Sequence, residues 1–374
     1  MKDPRDCIAT IDIGKTNAKV VLVGPNGAEL TERRHKNLVL SGPPYPHFAT
    51  EALVAFVLGA LSEMAPRIRA IVPVTHGACA ALVDGQGELA LPVLDYEHDG
   101  PDHTRATYRP PPFSETGSPP LPAGLNLGAQ LHWLEDRYPK AMSRAARLLM
   151  WPQWWAWRLC GIAAAEVTSL GCHTDLWCPE SSAASSLARM RGWDQLLPPL
   201  RPADGVLGPI LPEIARVTGL SASTQVLTGI HDSNASLLAY LKNTPCGILS
   251  TGTWIIAMAL GSKRKMLDPT QDMLVNIAMD GRPVPTARFM GGRERDVALA
   301  RGGNVDHIDT ELGMRAAQRL QAIGADGPIY LEGPFAASAA FVAAVSQATG
   351  RDVIAAKGTG TPRGAASLAQ RLLV

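Results

Sequence analysis

An α/β chain in two domains is the architecture the sequence predicts, and three observations predict it. Its 374 residues exceed what one hydrophobic core usually organises. A β-rich run, a short glycine turn and a second β-rich run open the chain at residues 7–23 and recur at 247–260. Between these repeats, β-type and helix-type stretches alternate in the order of a sheet covered by helices. A composition of 46% hydrophobic and 18% charged residues argues for a well-buried globular protein and against disorder.

Residues 7–13 and 19–23 read as strands joined by a Gly-Lys-Thr-Asn turn, and a second turn at residues 25–27 leads into a strand over 29–36. Apolar residues at Leu53, Phe56, Val57, Ala60, Leu61 and Met64 have helical spacing, with Thr50 as the expected N-cap. Strands are expected at 70–74, 80–83 and 89–94. Residues 101–122 hold too many prolines for regular structure and form a long loop. Helices follow at 127–138 and 151–159, where Trp151, Trp154, Trp155 and Trp157 read as helix packing. A strand over 226–229 runs into a helix over 234–241, and Asn243-Thr244-Pro245 is the expected domain boundary. The second domain opens with strand, glycine turn and strand, then carries helices at 312–323, 338–349 and 364–373, with strands at 328–332 and 352–355.

Net charge of +1 gives no electrostatic case for nucleic acid or an anionic membrane, yet a small anionic ligand fits because only its site must be positive. The six cysteines show neither CxxC pairing nor zinc-like spacing and read as reduced thiols of a cytoplasmic protein. The first six residues alternate in charge and run into a strand without the pattern of a signal peptide.

Five segments carry chemistry. Asp12 ends a buried strand, where its carboxylate can hold a hydrated magnesium ion. Gly14, Lys15, Thr16 and Asn17 then turn the chain so that backbone N–H groups face phosphate, with Lys15 or Lys19 adding charge. A plain hairpin explains the same residues. Asp232 follows a strand, where a carboxylate can orient a hydroxyl and accept its proton, or simply cap a helix. Thr251, Gly252 and Thr253 can cradle a terminal phosphate from the side opposite Asp12, or form a hairpin turn. Gly291 and Gly292 permit close backbone approach to a ligand, with Arg293 beside an anion, or make a glycine turn. Small residues in 331–338 and 364–366 leave room for a planar base, or pack an alanine-rich helix.

In this order the segments resemble the FGGY family of carbohydrate kinases. Residues 12–19 are similar to its first phosphate motif, 229–232 to its catalytic-base motif, 250–254 to its second phosphate motif, and 333–338 with 364–366 to its adenosine motif. Residues 166–169, 173–176 and 192–194 look most like the rhamnulokinase and fuculokinase branch. The resemblance implies a two-domain actin-like (ribonuclease H-like) sugar kinase fold with an interdomain cleft. Residues 1–243 would bind sugar and phosphate, and a shortened domain of residues 244–374 would bind nucleotide.

The implied reaction is ATP-dependent phosphorylation of a ketose, a 6-deoxyketohexose such as L-rhamnulose or L-fuculose; a pentulose kinase or a low-turnover sugar sensor are the alternatives. Asp232 becomes the base, and Asp12 holds Mg2+ through water. His76, Gly77, Asp95, Tyr96, His231 and Asp232 surround the sugar, although His76 can equally satisfy a turn and Tyr96 a core position. Gly14, Lys15, Thr16, Asn17, Lys19, Thr251, Gly252, Thr253, Gly291, Gly292, Gly333 and Ser338 contact ATP. The implied partners are a small sugar and ATP, without nucleic acid or membrane, and with a homodimer left open.

Overall fold

The computed structural model describes residues 6–262, 267–356 and 360–373; most of the charged N-terminal segment, residues 1–5, lies outside the described residues. Cys7–Ile13 (β1) is buried at every position, as a central strand covered on both faces must be. The chain turns back through Asn17–Val23 (β2) and again through Glu29–Lys36 (β3), a charged edge strand. Thr50–Met64 (α1) buries the predicted apolar stripe, but Thr50 is its first helical residue and not its cap: Ala49 stands at the N-cap with no side-chain bond. The helix delivers the chain to Ile68–Thr75 (β4), parallel to β1.

Residues 80–200 build an outer lobe with its own core, in which Ala80–Asp84 pairs with Ala145–Met150. Trp151–Cys160 (α2) packs Trp151, Trp154 and Trp155 into the core under the first sheet, the first two rings stacked 4.8 Å apart, so the tryptophans serve helix packing as expected. Val167–Leu170 (α3) is a single turn capped by Glu166.

The chain re-enters the first sheet at Val206–Pro209 (β5), Gln225–Leu227 (β6) and Ile230–His231 (β7), with β6 and β7 both parallel to β4. Gly229 makes the step between them. Its φ is 85°, and a Cβ there would lie 2.5 Å from the Pro73 carbonyl oxygen, so only glycine fits. The sheet order is β5-β6-β4-β1-β2-β3, with β7 also beside β4.

Asp232–Leu237 (α4) follows, shorter than expected, and the second sheet begins. Cys246–Thr251 (β8) and Ile255–Leu260 (β9) form the predicted hairpin. Met273–Ile277 (β10) and Pro283–Phe289 (β11) were not legible as strands, since two prolines argue against one. Those prolines lie outside the β9 pairing, which uses Thr286 to Phe289, so that ladder loses no donor. Gly291–Ala300 (α5) begins where a glycine turn was expected, and Val305–Ala322 (α6) starts earlier than its apolar pattern, capped by Asn304. Ile329–Glu332 (β12), Ala339–Thr349 (α7) and Val353–Ala355 (β13) complete the order β10-β11-β9-β8-β12-β13. Both sheets thus place a parallel strand beside an antiparallel meander, the mixed α/β architecture in two lobes that the sequence predicts.

Gly360–Ser367 (α8) returns to the first sheet, so the expected boundary at 243/244 separates the sheets but not this last helix. Ala365 and Ala366 are buried against Ile8, Val21 and Val74, and a Cβ on Gly364 would lie 2.2 Å from the Ala235 carbonyl oxygen. The alanine-rich stretch is therefore used for packing. All six cysteines are free. Among the described residues no helix is long and apolar enough to cross a membrane.

Strand β10 also joins the lobes. The Val275 N–H donates to the Gly117 carbonyl at 2.9 Å, and Ile277 packs on Gly171 so closely that a Cβ there would lie 2.2 Å from Ile277 Cδ1. Gly171→Ala should therefore destabilise the protein by about 1–3 kcal/mol through overpacking, checked by denaturant unfolding. An unchanged midpoint and slope would show that the joint between lobes is loose.

Candidate active site

The site is assembled by strand register. Ile13 pairs with Thr75 and Thr75 with His231, so β1, β4 and β7 end in one row and deliver Asp12, His76 and Asp232 to one edge. Ligand sites of α/β sheets lie at such carboxyl ends.

Asp12 is 8% exposed, and Lys19, its cross-strand partner, places Nζ 3.8 Å from Oδ2. Burial pushes the Asp12 carboxyl up to about 6, with Lys19 pulling it down and Asp232 adding to the rise. The turn after it is pinned by Asn37, which donates from its backbone N–H to Thr16 O at 2.9 Å and from Nδ2 to Gly14 O at 2.8 Å. Thr16 and Asn17 are exposed at its tip. Lys15, expected on phosphate, turns the other way. Its ammonium is bonded to Asp95, lies 3.3 Å from Glu97 and stands 5.1 Å from the ring centroids of both Phe48 and Tyr96. Two carboxylates and two aromatic faces outcompete solvent for that charge.

His76 donates from Nδ1 to the Gly77 carbonyl at 2.8 Å, since that oxygen can only accept. Burial pushes its imidazole towards the neutral form, which leaves Nε2 as a lone pair; that atom is buried and has no partner. Tyr96 packs edge-on to this ring at 5.3 Å. Gly77 is required by its neighbours, because a Cβ would lie 2.9 Å from His231 Nε2 and 3.1 Å from Cys172 Sγ.

Asp232 is not a helix cap: His231 holds the N-cap position of α4. Three donors converge on Asp232 Oδ1, the Ser233 N–H at 2.5 Å, the Ser233 hydroxyl at 3.2 Å and His231 Nε2 at 3.2 Å. Oδ2 has no such partner among the described residues, so the carboxylate is oriented through one oxygen and open at the other. His231 sits behind Asp232, with Cys172 Sγ 3.6 Å from its Nε2. Burial opposes its charge, but Cys172 and Asp232 outweigh that and push His231 up to about 9. Thr168 Oγ1 accepts the His231 N–H at 3.1 Å and is held in turn by Glu166.

Across the cleft, the Thr251 hydroxyl donates to the Glu332 carbonyl and accepts from the Phe335 N–H. It ties the second glycine turn to the segment after β12, where a Cβ on Gly333 would lie 1.8 Å from Thr251 O. A Cβ on Gly292 would lie 1.9 Å from Gly252 O, and the Arg293 N–H donates to Thr253 O, so Gly292 lets α5 meet residues 252–253 directly, while a Cβ on Gly291 would lie 2.5 Å from Ile255 Cδ1. Ser338, expected near adenosine, caps α7 and donates to Asp309 at 2.7 Å, an acid also paired with Arg295. Its hydroxyl is spent on that network.

Between the lobes lies a cavity of about 490 Å3 lined by His76, Gly77, Tyr96, Glu97 and His173 on one side and Trp254, Asp272 and Arg288 on the other. Sequence reasoning missed the second set, because the two prolines of β11 hide the strand that carries Arg288. Deeper in the outer lobe, Asp175 accepts from Tyr108 at 2.7 Å, and burial above all pushes its carboxyl up to about 7.

An aspartate titrates near 4 when unfolded, so the Asp175 contribution is fully present below that and is lost as pH rises through about 7. Asp175→Asn tolerates the left-handed φ of 64° and cannot ionise. Its stability relative to wild type should therefore improve between about pH 5 and about pH 8, measured by chemical denaturation at both values. A constant difference would mean that Asp175 ionises in the fold without penalty.

Known proteins resemble this chain in sequence and fold. Residues 120–239 match the model of the FGGY family of carbohydrate kinases, N-terminal domain, and residues 243–312 and 311–373 match that of carbohydrate kinase FGGY, C-terminal domain. The crystal structure of a carbohydrate kinase from Novosphingobium aromaticivorans superposes with a TM-score of 0.91 at 35% identity, over 97% of this chain and 91% of that one. A ligand-bound xylulose kinase from Lactobacillus acidophilus shares the fold, with a TM-score of 0.79 at 16% identity over 98% and 89%. An L-fuculokinase of Salmonella typhi is 26% identical over 273 residues, 68% of this chain; the match spans only 56% of that relative's length.

Proposed function

The chain belongs to the FGGY family of carbohydrate kinases, and we propose that it transfers the terminal phosphoryl group of ATP to a hydroxyl of a ketose, a 6-deoxyketohexose such as L-rhamnulose or L-fuculose. The observation that carries this reading is Asp232, oriented by His231 and Ser233 at one oxygen and open at the other, on the same sheet edge as Asp12 and His76. The fuculokinase relatives favour the deoxyhexulose.

A sugar hydroxyl beside Asp232 Oδ2 passes its proton to that oxygen as its own oxygen bonds to the terminal phosphorus, while the bond to the ADP oxygen breaks. His231 and Ser233 keep the carboxylate from rotating away. The neutral His76 Nε2 accepts a hydrogen bond from another sugar hydroxyl, and Lys15 holds Asp95 and Tyr96 in the sugar wall. The N–H groups of the turn at residues 14–17 and of the turn at 252–254 meet the phosphates from opposite lobes.

Asp12 would hold a magnesium ion through water: its carboxylate ends β1 at the cleft, is 8% exposed, and has Lys19 Nζ at 3.8 Å. Bound there with ATP, Mg2+ neutralises charge on the phosphates. In this reading the first sheet with the outer lobe holds sugar and the second sheet holds nucleotide. Joining the lobes over the cleft keeps water from competing for the phosphoryl group.

Asp232→Asn should lower sugar-dependent ADP formation by about 100- to 10,000-fold, the range a positioned proton acceptor supplies, while ATP affinity stays within a few-fold. A coupled assay over a panel of ketoses measures both enzyme and substrate class. Preference for ribulose or xylulose would replace the deoxyhexulose by a pentulose, and ADP release independent of every sugar would remove the kinase reading. Sugar binding without turnover would make the chain a sensor.

A further inference from the structure

We infer that Cys172 is a positioning residue for the proposed base: its sulfur stands as a thiolate against a charged His231, and this pair holds the Asp232 carboxylate towards the sugar; the inference rests on the kinase reading above. His231 Nε2 is the centre of the cluster, 3.2 Å from Asp232 Oδ1 and 3.6 Å from Cys172 Sγ. A carboxylate oxygen can only accept, so Nε2 carries a proton, and the sulfur on the same nitrogen meets an N–H instead of a lone pair. Nδ1 of this ring is buried and has no partner. Whatever holds charge on the ring therefore acts from the Nε2 side. The proton balance is short: the thiol proton passes to the neutral imidazole, leaving S− and a doubly protonated ring, and no other bond changes.

The groups around the ring support this state. Asp232 faces it from the start of α4, Cys172 from the segment after α3, Glu166 from the cap of α3 through Thr168, and neutral His76 from the end of β4. Burial pushes the thiols of Cys7, Cys79, Cys160 and Cys246 up, as it does for inert core cysteines. Cys172 departs from them: burial opposes its charge, but His173 and His231 outweigh burial and pull it down to about 5. In turnover Asp232 alternates between carboxylate and acid as it takes the sugar proton. The thiolate keeps His231 charged in both states, so Oδ1 is held throughout by a charge-assisted bond, about twice as strong as one from a neutral ring. Cys172 does not itself line the cavity, whose wall here is His173.

The test compares wild type, Cys172→Ser and Cys172→Ala by steady-state kinetics at about pH 5.5 and about pH 8, with thiolate ultraviolet absorbance and thermal melts alongside. A serine hydroxyl is close in size to the thiol and accepts a hydrogen bond, but does not ionise in this range. His231 is charged up to about 9 in the wild type, whereas without the thiolate it should lose its proton nearer the ordinary histidine value of about 6.5. Both variants should therefore keep kcat within about two-fold of wild type at about pH 5.5 and fall about ten-fold below it at about pH 8, the difference between a charged and a neutral hydrogen bond. Neither KM should change by more than about two-fold, since Cys172 touches no ligand. The wild-type absorbance minus that of Cys172→Ser should titrate well below the ordinary thiol value of about 8.5. A kcat deficit of equal size at both pH values marks a packing role and overturns the inference, as does wild-type kcat in Cys172→Ser at the higher pH or a Cys172 midpoint at or above the ordinary value. If neither variant folds, the wild-type absorbance at neutral pH decides: a full thiolate supports the pair and its absence overturns it. If wild type releases no ADP with any sugar, the kinase reading fails, and the absorbance still decides whether the pair exists.

Discussion

The row Ile13–Thr75–His231 is the constraint on which the rest of the site depends. Three parallel strand ends must stop at one level, because a slip of one residue would turn Asp12 or Asp232 to the opposite face of the sheet. Burial enforces the register: β1 and β4 are apolar along nearly their whole length, and any slip would expose core residues or bury charge. Gly229 supplies the one adjustment, letting β7 rejoin β4 after β6 has left it.

The second sheet repeats the arrangement with a different use of polar groups. Ser250 pairs with Glu332 much as Ile13 pairs with Thr75, and Thr251 then bonds to the backbone of the parallel strand's end. In the first lobe the corresponding row ends in open carboxylates; in the second the hydroxyl is consumed in joining two turns. Close backbone approach takes over there, with Gly292 against Gly252 and Gly333 against Thr251. The same chain geometry thus leaves side chains open at the strand ends of one lobe and brings backbones into close contact in the other.

Much of this was legible in the sequence, and what was not has identifiable causes. The two hairpins, the strand carrying Asp12 and the strand leading to Asp232 announce themselves by apolar runs and glycine turns. The partners of Lys15 and Ser338 were not legible because spacing along a chain does not reveal them; Asp95 and Glu97 are about 80 residues away from Lys15, and Asp309 is 29 from Ser338. Arg288 was invisible for a related reason. Prolines hid its strand, and its significance comes from a cavity whose opposite wall lies in the other lobe.

The helix Val167–Leu170 shows how contact between lobes and orientation of the carboxylate are coupled. Thr168 accepts the His231 N–H, while Gly171, the residue closing the same turn, receives Ile277 of the second lobe. The turn that receives β10 is thus the turn that holds His231, whose Nε2 lies 3.2 Å from Asp232 Oδ1. Glu166 makes that turn stiff, accepting from Thr168 and Ser169 backbone and side-chain donors while buried at 0% exposure. Contacts therefore run without a break from Ile277 of the second lobe through Gly171 and Thr168 to His231 and the oriented oxygen of Asp232.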